Sequence, residues 1–256
     1  CWSDIVFKFW IAENINNGAK LYYGQHGSGY GMLKEHNATK HELKICDRFL
    51  TWGWSDKKIS NNKITPCVSF PIIKEKIFQI KKKNKILLVP GPMDFYLFKN
   101  ELKKPNLIYK DLDNLNLFIK KIDSIISGNL TFKAHPMENR RKKEFSYFNY
   151  MKRTHPKVKL YETSYNLNKA IQNSKISIFF YLATPFLTNI TLNKPSIFIY
   201  PNDFREMISD EYLPIFQKLE EAKITTHNPI ALADFINEKF NSIDEWWQNE
   251  KIQRVR

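Results

Sequence analysis

The 256-residue chain carries 40 lysines and arginines against 26 acidic residues, a formal net charge of +14, and is 43% hydrophobic and 14% aromatic. That content is too apolar for a disordered chain, and the length suits one large α/β domain or one domain plus part of another. The basic balance favours anionic partners, phosphorylated small molecules and phospholipid surfaces among them. No arginine-rich arm or RNA-binding signature accompanies it, so nucleic acid is not an expected partner.

Cys1, Cys46 and Cys67 have neither metal-ligand spacing nor pairing arithmetic, and fit free thiols in a reducing cytoplasm. No apolar run approaches the roughly 18 residues of a membrane-spanning helix, and no signal peptide is visible. The first residue is Cys1, and residues 2–11 (WSDIVFKFWI) read as the middle of a folded unit, so the expected N-terminus is a truncated one.

In chain order, residues 20–24 (KLYYG) predict a short strand running into a glycine-rich loop, residues 25–31 (QHGSGYG). A polar stretch follows, ending at His41 and Glu42. Residues 47–54 (DRFLTWGW) and 64–70 (ITPCVSF) predict two more strands, joined by loops rather than full helices, as at the closing edge of a domain. Pro71 and the basic segment 74–85 (KEKIFQIKKKNK) predict a linker, which divides the chain into 1–73 and 74–256.

Beyond it, short buried runs alternate with amphipathic segments. Strands are expected at 86–90, 130–134, 158–161, 176–180 and 196–200, with a short one at 223–226. Helices are expected at 114–126, 138–151, 166–173, 184–192, 211–221, 229–240 and 243–255. This alternation predicts an α/β fold with a parallel, doubly wound sheet.

Ligands of such sheets bind beyond the carboxyl ends of the strands. That rule selects residues 90–94 (PGPMD), His135–Pro136 and residues 183–188 (ATPFLT). His135 follows a strand directly, where an imidazole can bond a phosphate oxygen; Pro136 would fix the turn, and Lys133 and Arg140 add positive charge. Thr184 suits an N-cap with Pro185 at the first helical position, and Thr188 lies one turn further on the same face. The amides of that helix start make an anion site; a merely capped helix explains the same residues.

Three glycines in the loop, Gly27, Gly29 and Gly31, allow close backbone approach to a ligand, although a turn without a ligand fits as well. His26 suits a general base or a phosphate ligand, and His41 with Glu42 offers a further acid/base pair. The acidic cluster Asp203, Glu206, Asp210 and Glu211 reads as a solvated loop, and Trp246 and Trp247 as packing.

The run GQHGSGYG (24–31), then His41–Glu42, then CDRFLTWGW (46–54) resembles the bacterial surface-carbohydrate biosynthesis transferases. The closing IDEWWQNEKIQ (243–253) is similar to that family's C-terminal end. The family is similar to two-domain GT-B glycosyltransferases, including bacterial transferases of CMP-activated acidic sugars such as Kdo. There a His-Pro pair meets the nucleotide phosphate, and hydroxyl residues stand at a later helix start; His135–Pro136 and Thr184 to Thr188 occur here in the matching order.

The resemblance implies a GT-B-like enzyme with a nucleotide-sugar donor domain over 74–256 and the rest of an acceptor-side domain over 1–73. Family members carry a long N-terminal domain that is mostly absent here. The implied substrates are a nucleotide sugar and a glycan or lipid-linked acceptor, with no cofactor and no metal. His26 or Glu42 would serve as catalytic base. His135, Pro136, Arg140, Thr184, Thr188, Gly27 and Gly29 would bind the donor phosphate. The implied location is the cytoplasm, with a peripheral contact at the inner face of the membrane. A sugar-nucleotide epimerase, a glycerophosphotransferase or a non-catalytic polysaccharide-assembly partner would fit the same residues.

Overall fold

A computed structural model describes residues 4–56, 59, 62–69, 84–91, 105–136, 138, 146–201 and 203–256. The chain divides by its own contacts into Cys1–Lys76 with Met207–Ser209, and Ile77–Glu206 with Asp210–Arg256. The predicted linker lies almost wholly outside the described residues, as do the basic runs 81–83 and 140–143.

In the first unit, helix α1 (Ile5–Asn16) is capped by Asp4, whose side chain accepts from the Phe7 N–H at 3.0 Å. Strands β1 (Tyr22–Gly24), β2 (Arg48–Thr51) and β3 (Ile64–Pro66) pair in that order, all parallel. Parallel neighbours cannot be joined by a tight hairpin, so the chain must cross back between β1 and β2. Helix α2 (Asn37–Ile45) makes that crossing, where the sequence predicts only loops and a polar stretch. The buried positions of α2 are Thr39 and Glu42, so no apolar stripe marks the helix in the sequence. His36 caps it, the ring accepting from the Thr39 N–H at 3.2 Å.

Tyr30, Cys46 and Phe49 form the small core of this unit, with Leu21, Tyr23, Leu43 and Trp54 packed around them. Ile208 bridges Leu33 in antiparallel fashion, flanked by bonds of 2.9 Å from the Lys34 N–H to the Met207 carbonyl and from the Ser209 N–H to the Met32 carbonyl.

The second unit holds the expected parallel sheet. Its strands are β4 (Ile86–Val89), β5 (Leu130–Lys133), β6 (Lys159–Tyr161), β7 (Ile176–Phe179), β8 (Ser196–Ile199) and β9 (Thr225–Thr226). They lie in the order β6-β5-β4-β7-β8-β9, every pair parallel. Counted from β4 this reads 3-2-1-4-5-6, the doubly wound order of dinucleotide-binding folds, with its switch point between β4 and β7. β4, β5, β7 and β8 are buried at every position, as strands covered on both faces must be.

The longer helices of this unit, among the described residues, are α3 (Pro105–Lys121), α4 (Tyr147–Thr154), α5 (Leu167–Gln172), α6 (Thr184–Thr191), α7 (Leu213–Glu221), α8 (Pro229–Lys239), α9 (Ile243–Gln248) and α10 (Glu250–Val255). The helix expected at 114–126 starts nine residues earlier, at Pro105, and the one expected at 243–255 breaks at Asn249. The Asn249 side chain accepts from the Lys251 N–H at 2.9 Å, so it caps the second piece instead of continuing the first.

Side chains from α9 and α10 lock the far end of α6. Asn193 adopts φ 57° just past that end, and its Oδ1 accepts from Trp247 Nε1 at 2.7 Å and Gln253 Nε2 at 3.1 Å. Arg256 Nη1 donates to the Ile190 carbonyl at 3.0 Å. Trp247 is fully buried, as the sequence predicts for a packing residue. Trp247→Ala should cost about 3–5 kcal/mol of stability in urea unfolding, the range for emptying a large aromatic site.

Candidate active site

Three of the second unit's strands end in loops around the switch point. β4 runs into Pro90 and Gly91, both buried; residues 92–94 of the selected PGPMD segment lie outside the described residues. β5 ends at Lys133, and His135 stands two residues on, half-buried. Exposed Pro136 follows, and the Glu138 N–H closes a tight turn onto the His135 carbonyl at 3.0 Å. β7 ends at Phe179, and Tyr181 occupies the matching position two residues on. The His135 and Tyr181 rings meet edge to face with centroids 6.4 Å apart. Burial pushes the Tyr181 phenol up to about 12, so it stays a neutral donor. Tyr181 was not among the residues selected from sequence; its position directly after a buried strand was the available signal.

Lys133 does not add its charge to this surface. Its side chain is buried, and Nζ donates to the Ala134 carbonyl at 2.7 Å and the Thr163 carbonyl at 3.0 Å. Burial holds its ammonium below the usual lysine range. The cation ties the His135 loop to the neighbouring strand-end loop. Arg140 lies outside the described residues.

Thr184 is not the N-cap of α6. The cap position is Ala183, which supplies no side-chain bond, and Thr184 is the first helical residue with Pro185 second. The Phe186 and Leu187 amides bond the Ala183 carbonyl at 3.0 and 3.3 Å, and Pro185 has no N–H. The helix start therefore offers the Thr184 amide and hydroxyl rather than a full turn of free amides. Thr188 lies one turn on, half-buried like Thr184.

In the first unit the glycine-rich loop begins at the carboxyl end of β1. Gln25 anchors it: Oε1 accepts from the Trp52 amide at 2.9 Å and from Trp54 Nε1 at 2.8 Å, while Nε2 donates to the Gly27 carbonyl at 2.8 Å. Gly31, at φ 73°, faces the Trp54 ring so closely that a Cβ would come within 2.6 Å of it. Gly29 packs against Leu33 and His36, and a Cβ there would meet the Leu33 side chain at 2.8 Å. Internal packing thus accounts for both. Gly27 has ordinary room around it.

His26 leaves this loop with its side chain 61% exposed, while Glu42 of α2 is completely buried. Tyr30 joins them. Its hydroxyl donates to Glu42 Oε2 at 2.8 Å and lies 3.0 Å from His26 Nδ1 and 3.1 Å from Nε2. Glu42 Oε1 has no hydrogen-bond partner and stands 4.0 Å from His26 Nδ1. With no exposed surface, Glu42 is placed to act through neighbours and His26 to meet solvent. His41, adjacent on the helix, does not join them; successive helical side chains diverge.

Three further features involve none of these groups. Asp111 and Asp113 form an Asp-X-Asp string inside α3, but Asp111 is buried and Asp113 exposed, so their carboxylates diverge. Among the described residues no group of three His, Cys, Asp or Glu side chains could hold a metal ion. Asp203, from the acidic cluster, pairs with Lys110 Nζ at 2.7 Å. A groove of about 410 Å³ beside α8 and α9, lined by Lys223, Phe235, Glu245 and Trp246 among others, contains no residue selected from sequence. Among the described residues no helix is long and apolar enough to cross a membrane.

Over residues 1–256 the chain matches the profile of the LIC12162 family transferases. It belongs to that family. The LIC12162 description makes it a transferase and names no group transferred. No curated protein matches the chain. Among solved structures, the wall teichoic acid polymerase TagF is 14% identical, aligned over 91% of this chain and 62% of its own, with a TM-score of 0.41. A histidine-to-asparagine variant of the same polymerase is 13% identical over 93% and 60%, with a TM-score of 0.44. The chain thus spans about three fifths of that polymerase structure, and so loose a likeness carries no argument about chemistry.

Burial raises the proton affinity of the Glu42 carboxyl above the usual range, opposed by the Tyr30 bond and by His26. A carboxyl whose folded pKa exceeds its unfolded value contributes stability that is complete below the unfolded pKa and lost as pH rises through the folded one. Glu42→Gln removes that titration, so the variant should gain Tm relative to wild type as pH rises through and above the ordinary carboxyl range, about 4. A Tm difference constant across that range would contradict the assignment.

Proposed function

We propose that this transferase moves a sugar from a nucleotide-activated donor to a surface-polysaccharide acceptor, as a metal-independent enzyme of GT-B type. The observation that supports it most is the convergence of His135, Tyr181 and the Thr184 helix start around the switch point of a 3-2-1-4-5-6 sheet. Nucleotide phosphates bind at such points, where strand ends and a helix start offer donors to an anion.

In this reading the second unit binds the donor. His135, with Pro136 fixing its turn, bonds a phosphate oxygen; the Thr184 amide and hydroxyl and Thr188 add neutral donors, and Arg140 adds charge. The donor is a CMP-linked acidic sugar, a choice carried by the family resemblance. The first unit activates the acceptor: His26 takes the proton of the attacking hydroxyl, with Gly27 and Gly29 shaping the loop that holds it. The acceptor oxygen bonds the anomeric carbon as the bond from that carbon to the phosphate oxygen breaks. The phosphate leaves carrying the negative charge, which His135 stabilises. The acceptor is a glycan or a lipid-linked glycan. The chain's net charge of +14 suits a peripheral contact with the anionic cytoplasmic face of the membrane.

A thermal-shift series with CMP, UDP, GDP and CDP tests donor binding. A ligand that binds only the folded state stabilises it by about 2.7 kcal/mol at a hundredfold excess over Kd. One nucleotide should raise the Tm of the wild type and leave His135→Ala unmoved. No shift with any of the four, or an equal shift in His135→Ala, would overturn the reading.

A further inference from the structure

Strand β7 ends in a run of aromatic rings, Phe179, Phe180 and Tyr181. Phe179 and Phe180 are buried, so plain phenyl rings serve for packing at this strand end. Tyr181 differs from them by one hydroxyl. Its oxygen makes no hydrogen bond among the described residues, and it is not sealed from solvent either. A ring needed only for packing gains nothing from that oxygen, because a hydroxyl against apolar surroundings costs free energy unless it is bonded.

The sheet places this hydroxyl near His135. β5 and β7 flank β4, and strands two places apart in a sheet stand about 10 Å from each other. The His135 and Tyr181 ring centres are 6.4 Å apart, so the two side chains lean together across the end of β4. There β4 passes through Pro90 into Gly91, which brings no side chain to the gap. Thr184, the first residue of α6, follows Tyr181 by three positions.

We propose that Tyr181 is a phosphate ligand, its hydroxyl donating a hydrogen bond to a phosphate oxygen of the donor opposite His135. This rests on the reading above, in which that phosphate lies at the switch point. A phenol is a single donor on a rigid ring and an ionised phosphate offers only acceptors, so the bond forms without any proton changing hands. Hydrogen bonds to a charged acceptor are about twice as strong as neutral ones, and this one tightens as the leaving phosphate gathers charge.

The test is calorimetric titration of the full chain with CMP, UDP, GDP and CDP, with their nucleosides, and with pyrophosphate. Wild type is compared with Tyr181→Phe, which keeps the ring, and with Tyr181→Leu, which removes it. Tyr181→Phe should bind the preferred nucleotide and pyrophosphate about 10- to 100-fold more weakly, and the nucleoside as wild type does. Unchanged phosphate binding in Tyr181→Phe overturns the proposal, and leaves the donor reading standing where His135→Ala still abolishes nucleotide binding. An equal loss for nucleotide and nucleoside, or a loss confined to Tyr181→Leu, would make the ring a stacking surface for the base and overturn it as well. Pyrophosphate bound through the Tyr181 hydroxyl by a chain that takes no nucleotide would sink the donor reading and leave the Tyr181 assignment in place. A wild type that binds neither overturns both.

Discussion

Parallel pairing governs this chain more than any single contact. Every pair of named strands runs parallel, in the three-stranded and the six-stranded sheet alike. Each strand must then hand over to a crossover, and within each sheet the loops that follow the strands gather at one edge. His26, His135 and Tyr181 each stand two residues beyond a strand's last residue, after β1, β5 and β7. One geometric rule thus explains why these three side chains follow short strands.

The two units put this edge to different uses. In the second, His135 and Tyr181 stand half-buried at strand ends while Lys133, the one buried cation among the described residues, turns inward to hold two carbonyls. In the first, a buried carboxyl accepts from a phenol that lies beside an exposed imidazole. The LIC12162 family membership gives the class, a transferase, and the division of labour between the units belongs to the proposed function.

Most of the second unit was legible in the sequence because its strands are buried on both faces and write themselves as unbroken apolar runs. Residues 86–89 are such a run, and the ends of the strands at 130–133 and 176–179 marked His135 and the Thr184 helix through the strand-end rule. Helix α2 was illegible because the face it buries is Thr39 and Glu42, chosen for hydrogen bonding rather than hydrophobicity. The same choice hid Tyr30, whose hydroxyl bonds a residue twelve positions away. Thr184 was misjudged as a cap because threonine suits that position chemically, whereas the backbone turns helical one residue earlier than a Thr184 cap would require. Only the fold could separate Gly31, forced by the Trp54 ring, from Gly27, which has room to spare.

The lock on the far end of α6 carries a practical consequence. Trp247, Gln253 and Arg256 grip Asn193 and Ile190, so the final turn of the chain braces the helix that begins at Thr184. Strain on that brace reaches the Thr184 helix start through one rigid rod about 12 Å long. A change at Trp247 or Arg256 is therefore felt at the beginning of α6 as well as at its far end.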